Sequence, residues 1–358
     1  MRKYTPFLKL KVNEVAAIEA LGKELLNSLR PFFDLARKKD LTSESVCKTL
    51  ADFAKKLKRV MGDQPFFFDT ADIPDSIKVN GVELFHRVAS ELADLRFIPV
   101  VGLDRSPGYI QAVLSERKNG LVASDVLALR LLESEFESFS AVEDELGELL
   151  VSAVDAGYSE FVLILDCKFC LPASPVVLAK TVTDFLSPAM QTMPFSEAIV
   201  VGSSIPVKIS DVIATERQVE IPRAELEIFQ LLAPIFDAST VGFGDYTIVS
   251  PYYSDLDMPA EMLPNVTAPK VVYTYGGVHY VARGGSLRSH HRGHYQYNDI
   301  AVDIVGKSFF RKAKYSFGED FLLEKSQGKG SKVTPGSILK PTICTHVTYM
   351  AKDHPLFA

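Results

Sequence analysis

The stretch Phe161-Val-Leu-Ile-Leu-Asp166 decides the fold, because five apolar residues in a row end in an acid. A second run of this kind is Ala198-Ile-Val-Val201. Strands that are apolar on both faces are typical of parallel sheets covered by helices on each side. The two runs therefore predict an α/β protein built on a parallel sheet.

Similar apolar runs recur along the chain on both sides of this stretch and alternate with amphipathic segments. The predicted strands are 4–10, 29–35, 65–70, 97–104, 120–126, 160–166, 197–203 and 240–250. The predicted helices are 14–28, 43–60, 81–94, 106–116, 127–156, 175–190 and 223–235. This alternation predicts a (β/α)8 TIM-type barrel over residues 1–250. No glycine-rich dinucleotide or phosphate-loop motif follows any of the strands.

The pattern changes after residue 250. Residues 251–269 read as a loop rich in Pro, Asp and Tyr, and 270–283 read as a β-hairpin about Gly276-Gly277. A helix over 296–311 and a final strand over 342–350 are predicted to follow. We expect residues 251–358 to be an elaboration packed on the barrel within one domain.

Composition excludes several classes of protein. The 358 residues are 47% hydrophobic and carry 39 Lys or Arg against 45 Asp or Glu, which rules out a disordered chain. Four scattered cysteines do not make a disulfide scaffold. The most apolar run, 161–179, is interrupted by Asp166 and Lys168, and the N-terminal residues lack the apolar core of a signal peptide. A cytoplasmic protein without membrane contact is expected.

Acidic residues stand at the ends of six predicted strands. They are Asp34, Asp69, Asp104, Asp125, Asp166 and Asp245, and the cations Lys9, Lys11, Arg105 and Lys168 lie beside some of them. In a barrel the C-terminal strand ends face one mouth, where crowded carboxylates must be protonated, paired with Lys or Arg, or bridged by a metal ion. The sequence therefore predicts a functional mouth, although any single Asp here could simply cap the next helix.

Two further motifs are weak. Cys167 and Cys170 form a lone CxxC, which favours buried thiols over a zinc site because no second ligand pair accompanies it. His290, His291 and His294 form the densest histidine cluster, but Gly293 weakens the helix that zinc binding at this spacing would need.

Residues 270–314 are strongly basic. Eight Lys or Arg face only Asp299 and Asp303, a net charge of +6 that leaves −12 for the rest of the chain. Five tyrosines interleave with these cations, a combination suited to phosphate contact and base stacking. A solvated face, or a patch that pairs with the acidic segment 133–148 of a second copy, explains the same charge.

Several segments resemble the Beta protein family of phages and bacteria. The N-terminal match is Tyr4-x-Pro-x-Leu-Lys-x-Lys11-x-x-Glu14, followed by Arg30-Pro-Phe-Phe-Asp34. Later matches are Phe243-Gly-Asp-Tyr246, Val272-Tyr-Thr274, Ala282-Arg-Gly284, the segment from Phe310 to Ser316-Phe-Gly-Glu319, and the segment from Gly336 to Thr345-His-Val-Thr348. The positions that match the family pattern include Lys9, Lys11, Glu14, Asp34, Asp245, Arg283 and His346. Asp34 stands where the family usually has Glu, and Thr345 stands where it tends to have His.

The resemblance implies a role in phage–host conflict but no particular reaction. We expect a hydrolase for a nucleotide or nucleic acid, assisted by Mg²⁺ or Mn²⁺ at the acidic mouth. Its expected catalytic residues are Asp34, Asp69, Asp166 and Asp245, and its expected substrate-binding residues are Lys9, Lys11, Arg105, Lys168, Arg283 and His346.

The alternative is a non-catalytic subunit of a defence or toxin–antitoxin system. It would bind nucleic acid or a partner protein through Arg288, Arg292 and Lys312, and it could form a homo-oligomer.

Overall fold

The structure is a computed structural model that describes residues 4–37, 41–253 and 267–357. In chain order its strands are β1 (Tyr4–Lys9), β2 (Phe32–Asp34), β3 (Phe66–Asp69), β4 (Lys78–Val79), β5 (Val82–Glu83), β6 (Phe97–Val101), β7 (Val126–Leu132), β8 (Glu160–Phe169), β9 (Phe195–Ser203), β10 (Arg217–Pro222), β11 (Val241–Asp245), β12 (Lys270–Tyr275) and β13 (Val278–Arg283). Its α-helices are α1 (Val12–Glu19), α2 (Lys23–Asn27), α3 (Ser43–Met61), α4 (Leu84–Leu92), α5 (Pro107–Lys118), α6 (Phe139–Asp155), α7 (Pro175–Thr192), α8 (Ala224–Leu232), α9 (Gln296–Val305), α10 (Phe317–Ser326) and α11 (Leu339–Lys352).

Eight parallel strands close into a barrel in the order β1, β11, β9, β8, β7, β6, β3, β2, which confirms the predicted TIM-type architecture. Alternate residues of each strand face the inside, where the rings of Phe7 and Phe32 stack with centroids 4.1 Å apart. The outward residues pack against the surrounding helices. The barrel interior is therefore a packed core below its C-terminal mouth.

Helix starts follow the local sequence. Thr42 caps α3 through a reciprocal hydrogen bond pattern with Ser45, and Ser106 caps α5 with Pro107 in the first turn.

Among the described residues no helix is long and apolar enough to cross a membrane.

The prediction for the fifth strand was wrong. Residues 120–126 were predicted as the strand and residues 127–132 (Leu-Ala-Leu-Arg-Leu-Leu) as the start of a helix, but residues 126–132 form β7, and helix α6 begins only at Phe139. Leu, Ala and Arg favour helix locally. Parallel pairing with β8 over seven residue pairs, together with burial on both faces, outweighs that preference.

The predicted hairpin is confirmed, with β12 and β13 antiparallel about Gly276-Gly277. Strand β10 adds to it in the order β10, β13, β12, so a segment between β9 and β11 pairs with the C-terminal part of the chain. The division of the chain at residue 250 stays a prediction. Of the predicted loop 251–269, residues 254–266 lie outside the described part.

The predicted final strand at 342–350 is a helix, α11. Its Thr, Ile and Val residues favour strand, but all ten residues from Pro341 to Met350 are buried. No strand of the described sheets pairs with this segment, so its buried backbone polar groups are satisfied within a helix. The helix predicted at 296–311 ends earlier, since α9 stops at Val305.

Helices α10 and α11 approach each other closely at Gly318. A Cβ there would lie 1.9 Å from Thr345 Oγ1 and 2.2 Å from the Pro341 carbonyl oxygen. We expect Gly318→Ala to lower the free energy of unfolding by about 2 kcal/mol, because these packed atoms must move apart. Urea denaturation measures the change.

Gly147→Ala is the matched control, since Gly147 also lies in a helix but a Cβ there would meet nothing within 4 Å. It should raise stability by about 0.5–1 kcal/mol. Equal effects of the two substitutions would contradict the close approach of α10 and α11.

Candidate active site

Three of the predicted aspartates meet at the barrel mouth around one buried arginine. Arg130 Nη1 donates to Asp34 Oδ1 and to Asp69 Oδ2, both at 2.8 Å, and Nη2 donates to Asp166 Oδ2 at 2.7 Å. All four side chains are almost fully buried. We call these residues the Asp–Arg cluster.

Tyr246 and Lys168 extend the Asp–Arg cluster. The Tyr246 hydroxyl donates to Asp166 Oδ2 at 2.5 Å, and Lys168 Nζ lies 3.1 Å from the same oxygen. Lys168 has a φ of 51°, a left-handed conformation in which its backbone N–H donates to Asp166 Oδ1 at 2.9 Å. The carboxylate thus fixes both the tip of β8 and the direction of the lysine side chain.

Arg105 completes the charge balance of the mouth, since its Nη2 lies 3.0 Å from Asp69 Oδ2. Three buried carboxylates therefore face three cations. Burial raises the pKa of Asp34 to about 6 despite the opposing effect of Arg130. Burial also acts to raise the pKa of Asp166, but Lys168 and Arg130 outweigh this effect and lower that pKa to about 2.

The Asp–Arg cluster does not have the arrangement of a metal site. Within the described ranges there is no group of three or more His, Cys, Asp or Glu side chains able to hold a metal ion. The guanidinium of Arg130 lies where a cation shared by the three carboxylates would lie.

Asp245 belongs to a different cluster. Its carboxylate accepts hydrogen bonds from Tyr4 at 2.8 Å and from Arg223 Nη2 at 2.6 Å, and it lies 3.0 Å from His346 Nε2. His346 Nδ1 is 2.7 Å from Thr274 Oγ1 on the hairpin. The expectation that Asp245 converges with the other aspartates was wrong, because successive residues of a strand point to opposite faces and it is Tyr246 that joins the Asp–Arg cluster.

His346, predicted to touch substrate, is fully buried in this second cluster and does not line the pocket described next. Burial lowers the pKa of its imidazole, although Asp245 acts in the opposite direction. The cluster joins α11, the hairpin and the barrel. Its geometry gives His346 a role in holding these parts together.

The two remaining aspartates predicted at strand ends, Asp104 and Asp125, lie at the surface. Asp125 precedes β7, at the opposite end of the barrel from the mouth, and pairs with Arg117. That prediction was wrong because it rested on the misplaced fifth strand. Asp104 follows β6 and pairs with Arg105 at 2.5 Å.

A cavity of about 660 Å³ lies between the barrel mouth and the C-terminal elaboration. Five cationic side chains line it, and we call it the basic pocket: Lys9, Lys11, Lys208, Lys270 and Arg283. Its other lining residues include Glu14, Tyr252, Tyr253 and Tyr297. The structure thus brings together three of the predicted substrate-binding residues, Lys9, Lys11 and Arg283, while Arg105 and Lys168 lie among the aspartates.

The barrel end of the basic pocket holds Lys9 and Glu14. Glu14 lies on the first turn of α1 and accepts a hydrogen bond from the Lys9 backbone N–H at 2.6 Å. Burial raises the pKa of Glu14 to about 7 and lowers that of Lys9 to about 8. Asp34 is the register partner of Lys9 on β2. Three groups with pKa values moved towards neutrality thus lie side by side, as at many acid–base sites.

The opposite end is formed by the hairpin. Lys270 and Arg283 lie directly across from each other on β12 and β13, so their side chains share one face of the sheet. Burial lowers the pKa of Lys270, and Arg283 adds to the effect. The buried hydroxyl of Tyr297 lines the same pocket and has no hydrogen-bond partner among the residues that the structure describes. Burial raises the pKa of this hydroxyl, and the backbone N–H of Lys270 acts in the opposite direction. Two facing cations beside such a hydroxyl are an arrangement suited to an anion.

The remaining motifs do not come together as sites. His290 lies 3.3 Å from Glu216, whereas His294 binds the Val333 carbonyl oxygen. Cys167 and Cys170 are free, buried thiols.

The three cations predicted to bind nucleic acid or a partner are exposed. Arg292 forms an ion pair with Asp299, with Nη2 2.7 Å from Oδ1. Arg288 and Lys312 are the other two exposed cations of this predicted surface.

Sequence reasoning missed Arg130, Lys208, Lys270 and Tyr253 as site residues. Arg130 was hidden in a segment assigned to a helix. Glu14 was noted only as a match to the family pattern. An arginine inside an otherwise apolar parallel strand is the signal that could have found the first of them, since a buried cation must have partners.

These features define a TIM barrel whose mouth carries a neutralised aspartate cluster and an adjoining basic pocket. The chain belongs to the Beta protein family, whose model matches residues 4–352, and this confirms the resemblance.

No curated protein matches the chain. Among solved structures it is similar to dihydropteroate synthase from Xanthomonas albilineans in complex with indole-2-carboxylic acid and 6-chloroguanine, at 14% identity and a TM-score of 0.39 over 69% of this chain and 88% of that one. It is also similar to triosephosphate isomerase from Bartonella henselae, at 11% identity and a TM-score of 0.34 over 70% of this chain and 94% of that one.

Arg130→Met tests the electrostatics of the mouth. It leaves three buried carboxylates without their shared cation, so the free energy of unfolding at pH 7 should fall by about 3–5 kcal/mol. Asp69 and Asp166 keep Arg105 and Lys168, but Asp34 loses its salt-bridge partner, so its folded-state pKa, which burial already raises to about 6, rises further above the unfolded value. Protonation therefore favours the folded state, and the loss should be smaller at pH 5 than at pH 7.

Lys58→Met is the control, since Lys58 pairs with Asp94 in an exposed ion pair. Its effect should stay within about 0.5 kcal/mol at both pH values. A loss for Arg130→Met that is the same at pH 5 and pH 7 would contradict the electrostatic explanation.

Proposed function

We propose that the protein is a hydrolase that binds a phosphate-bearing small molecule, a nucleotide in the first place, in the basic pocket. The observation that carries the proposal is the convergence of five cationic side chains on one cavity of about 660 Å³. Cavities of about 300–1,000 Å³ are typical of small-molecule sites. Clustered cations lower the free energy of a bound polyanion.

Each end of the pocket contributes a different part of the proposed chemistry. Lys270, Arg283 and the free Tyr297 hydroxyl supply donors for phosphate oxygens. Tyr252 and Tyr253 line the cavity and offer aromatic surfaces on which a base can stack. This combination favours a nucleotide over inorganic phosphate.

Glu14 is the proposed general base. With a pKa of about 7, its carboxyl is partly ionised at neutral pH and can take a proton from an attacking water. This choice differs from the expectation that Asp34, Asp69 and Asp166 are catalytic, because Arg130 engages all three. In this proposal those aspartates position the mouth. Mg²⁺ or Mn²⁺ would enter with the nucleotide, whose phosphates supply oxygen ligands.

The proposal includes a setting in phage–host conflict, as the family resemblance implies, and in the cytoplasm, as the composition of the chain favours. There the protein would consume a nucleotide during infection. A bacterial strain that carries the wild-type chain should resist phage better than strains with Glu14→Gln or Lys270→Gln. Equal resistance in all three strains would contradict this part of the proposal.

Binding is tested by removing the facing cations. Lys270→Gln and Arg283→Gln should each weaken ATP binding by about ten-fold to a hundred-fold, the range of one charged hydrogen bond. Isothermal titration calorimetry measures the affinity. Lys180→Gln on the exposed face of α7 is the control, since Lys180 pairs only with Asp184 in the described part of the chain and lies outside the pocket. Unchanged affinity in both pocket variants would overturn the site.

Turnover is tested at Glu14. Phosphate release from a panel of nucleotides should increase as the pH rises through about 7, where Glu14 loses its proton. Glu14→Gln should lower kcat by about a hundred-fold or more, as loss of a general base does, while nucleotide affinity stays within about three-fold. Nucleotide binding without turnover in the wild type would favour the accessory role through Arg288, Arg292 and Lys312.

A further inference from the structure

Lys9 has surroundings unlike those of an ordinary binding lysine. It ends β1, only 4% of its surface is exposed, and it still lines the basic pocket. Within residues 4–37, 41–253 and 267–357 its amine forms neither a salt bridge nor a hydrogen bond, and it lies over the Tyr253 ring, with Nζ 3.5 Å from the ring centroid. Burial disfavours the charged form of this amine more than the nearby carboxylate of Asp72 favours it, so Lys9 reaches its neutral, nucleophilic form more readily than an exposed lysine.

The groups around Lys9 suit a reaction at its nitrogen. Lys11 Nζ lies 5.0 Å from the centroid of the same Tyr253 ring and opposes protonation of Lys9, whereas the carboxylates of Asp72, Glu14 and Asp34 favour it; burial outweighs them and brings the pKa of Lys9 to about 8. Glu14 and Asp34 flank Lys9, and burial raises their pKa values to about 7 and about 6. A buried amine that loses its proton near pH 8, beside a carboxyl that can donate and accept a proton near pH 7, is the combination that carbonyl addition requires.

We propose that Lys9 forms an imine with the carbonyl carbon of a phosphate-bearing ligand, such as a ring-opened sugar phosphate. Lys9 Nζ adds to the carbonyl carbon, and one proton moves from the nitrogen to the oxygen to give a neutral carbinolamine. Glu14 then protonates the hydroxyl, the carbon–oxygen bond breaks so that water leaves, and the Glu14 carboxylate takes up the remaining proton from the nitrogen. Amine and carbonyl become imine and water, so no oxidant or reductant is consumed. The inference rests on the proposed phosphate site, which places the carbonyl near Lys9.

Lys9 differs from the other lysines of the pocket. Lys11 and Lys208 are exposed, so their amines are well solvated. Lys270 faces Arg283 at the far end, where the phosphate is proposed to bind. Selective modification of Lys9 is therefore the signature of the proposal.

The test uses pyridoxal 5′-phosphate as an aldehyde that carries phosphate, and pyridoxal as the same aldehyde without it. Each is incubated with the full chain, reduced with borohydride and mapped by peptide mass spectrometry. We expect a single reduced adduct on Lys9, about ten-fold more with the phosphate than without it, since phosphate contacts supply that affinity. Labelling should increase through pH 8, where Lys9 loses its proton.

Two variants distinguish a nucleophilic role of the Lys9 amine from a role of its positive charge. Lys9→Arg keeps the charge and should abolish the adduct, whereas Lys180→Arg, outside the pocket, should retain it. Thermal melting checks that both variants fold, and mapping of the wild-type chain decides the question if Lys9→Arg does not.

The outcomes separate the two proposals. Equal labelling of Lys9 by both aldehydes supports the imine and overturns the phosphate site. Adducts on Lys208 or Lys270 that pyrophosphate prevents, with Lys9 unmodified, overturn the imine and support the phosphate site. Scattered labelling of surface lysines that pyrophosphate does not prevent overturns both.

Discussion

The contact between Arg130 and three aspartates is the constraint on which the mouth of the barrel depends. Closing eight parallel strands brings the tips of β2, β3 and β8 together, and three carboxylates with them. Their mutual repulsion in a poorly solvated space would oppose closure. A guanidinium that donates to all three removes the repulsion and fixes their geometry. The same contact occupies the carboxylates, which is why we propose chemistry in the neighbouring pocket instead.

A second buried cluster determines where that pocket lies. Asp245 leaves β11 on the face opposite to Tyr246 and binds His346 on α11, which in turn contacts Thr274 on the hairpin. The hairpin is thereby held against the barrel, and Lys270 and Arg283 face Lys9 and Glu14 across the cavity. Asp245 and Tyr246, adjacent in sequence, thus connect the cluster that organises the mouth with the one that holds the hairpin.

The sequence predicted the class of fold well, because buried parallel strands carry continuous apolar runs, as β8 and β9 do. It failed at residues 127–132, where helix-favouring residues form a strand, and at 342–350, where strand-favouring residues form a helix. Pairing with β8 outweighed local preference in the first segment. The second segment has no strand to pair with in the described sheets and is packed against α1, α10 and β12 as a helix. The predicted convergence of four aspartates at the mouth was only partly right. Asp34, Asp69 and Asp166 do converge, but the arginine they surround lay in the segment assigned to a helix, and Asp245 points elsewhere.

By itself the sequence determined the alternation of strands and helices, the acids at strand ends, the hairpin and the basic character of residues 270–314. Those features depend on residue type and on spacing along the chain, which can be read one segment at a time. The tertiary structure was needed to show that Asp34, Asp69 and Asp166 share Arg130. It was also needed to show that Lys9 and Glu14 line one pocket and that Lys270 faces Arg283. These are relations between segments distant in sequence, and each depends on strand register and on the face to which a side chain points. A shift of one residue in a strand turns its side chain to the opposite face, so composition and motif could not supply them.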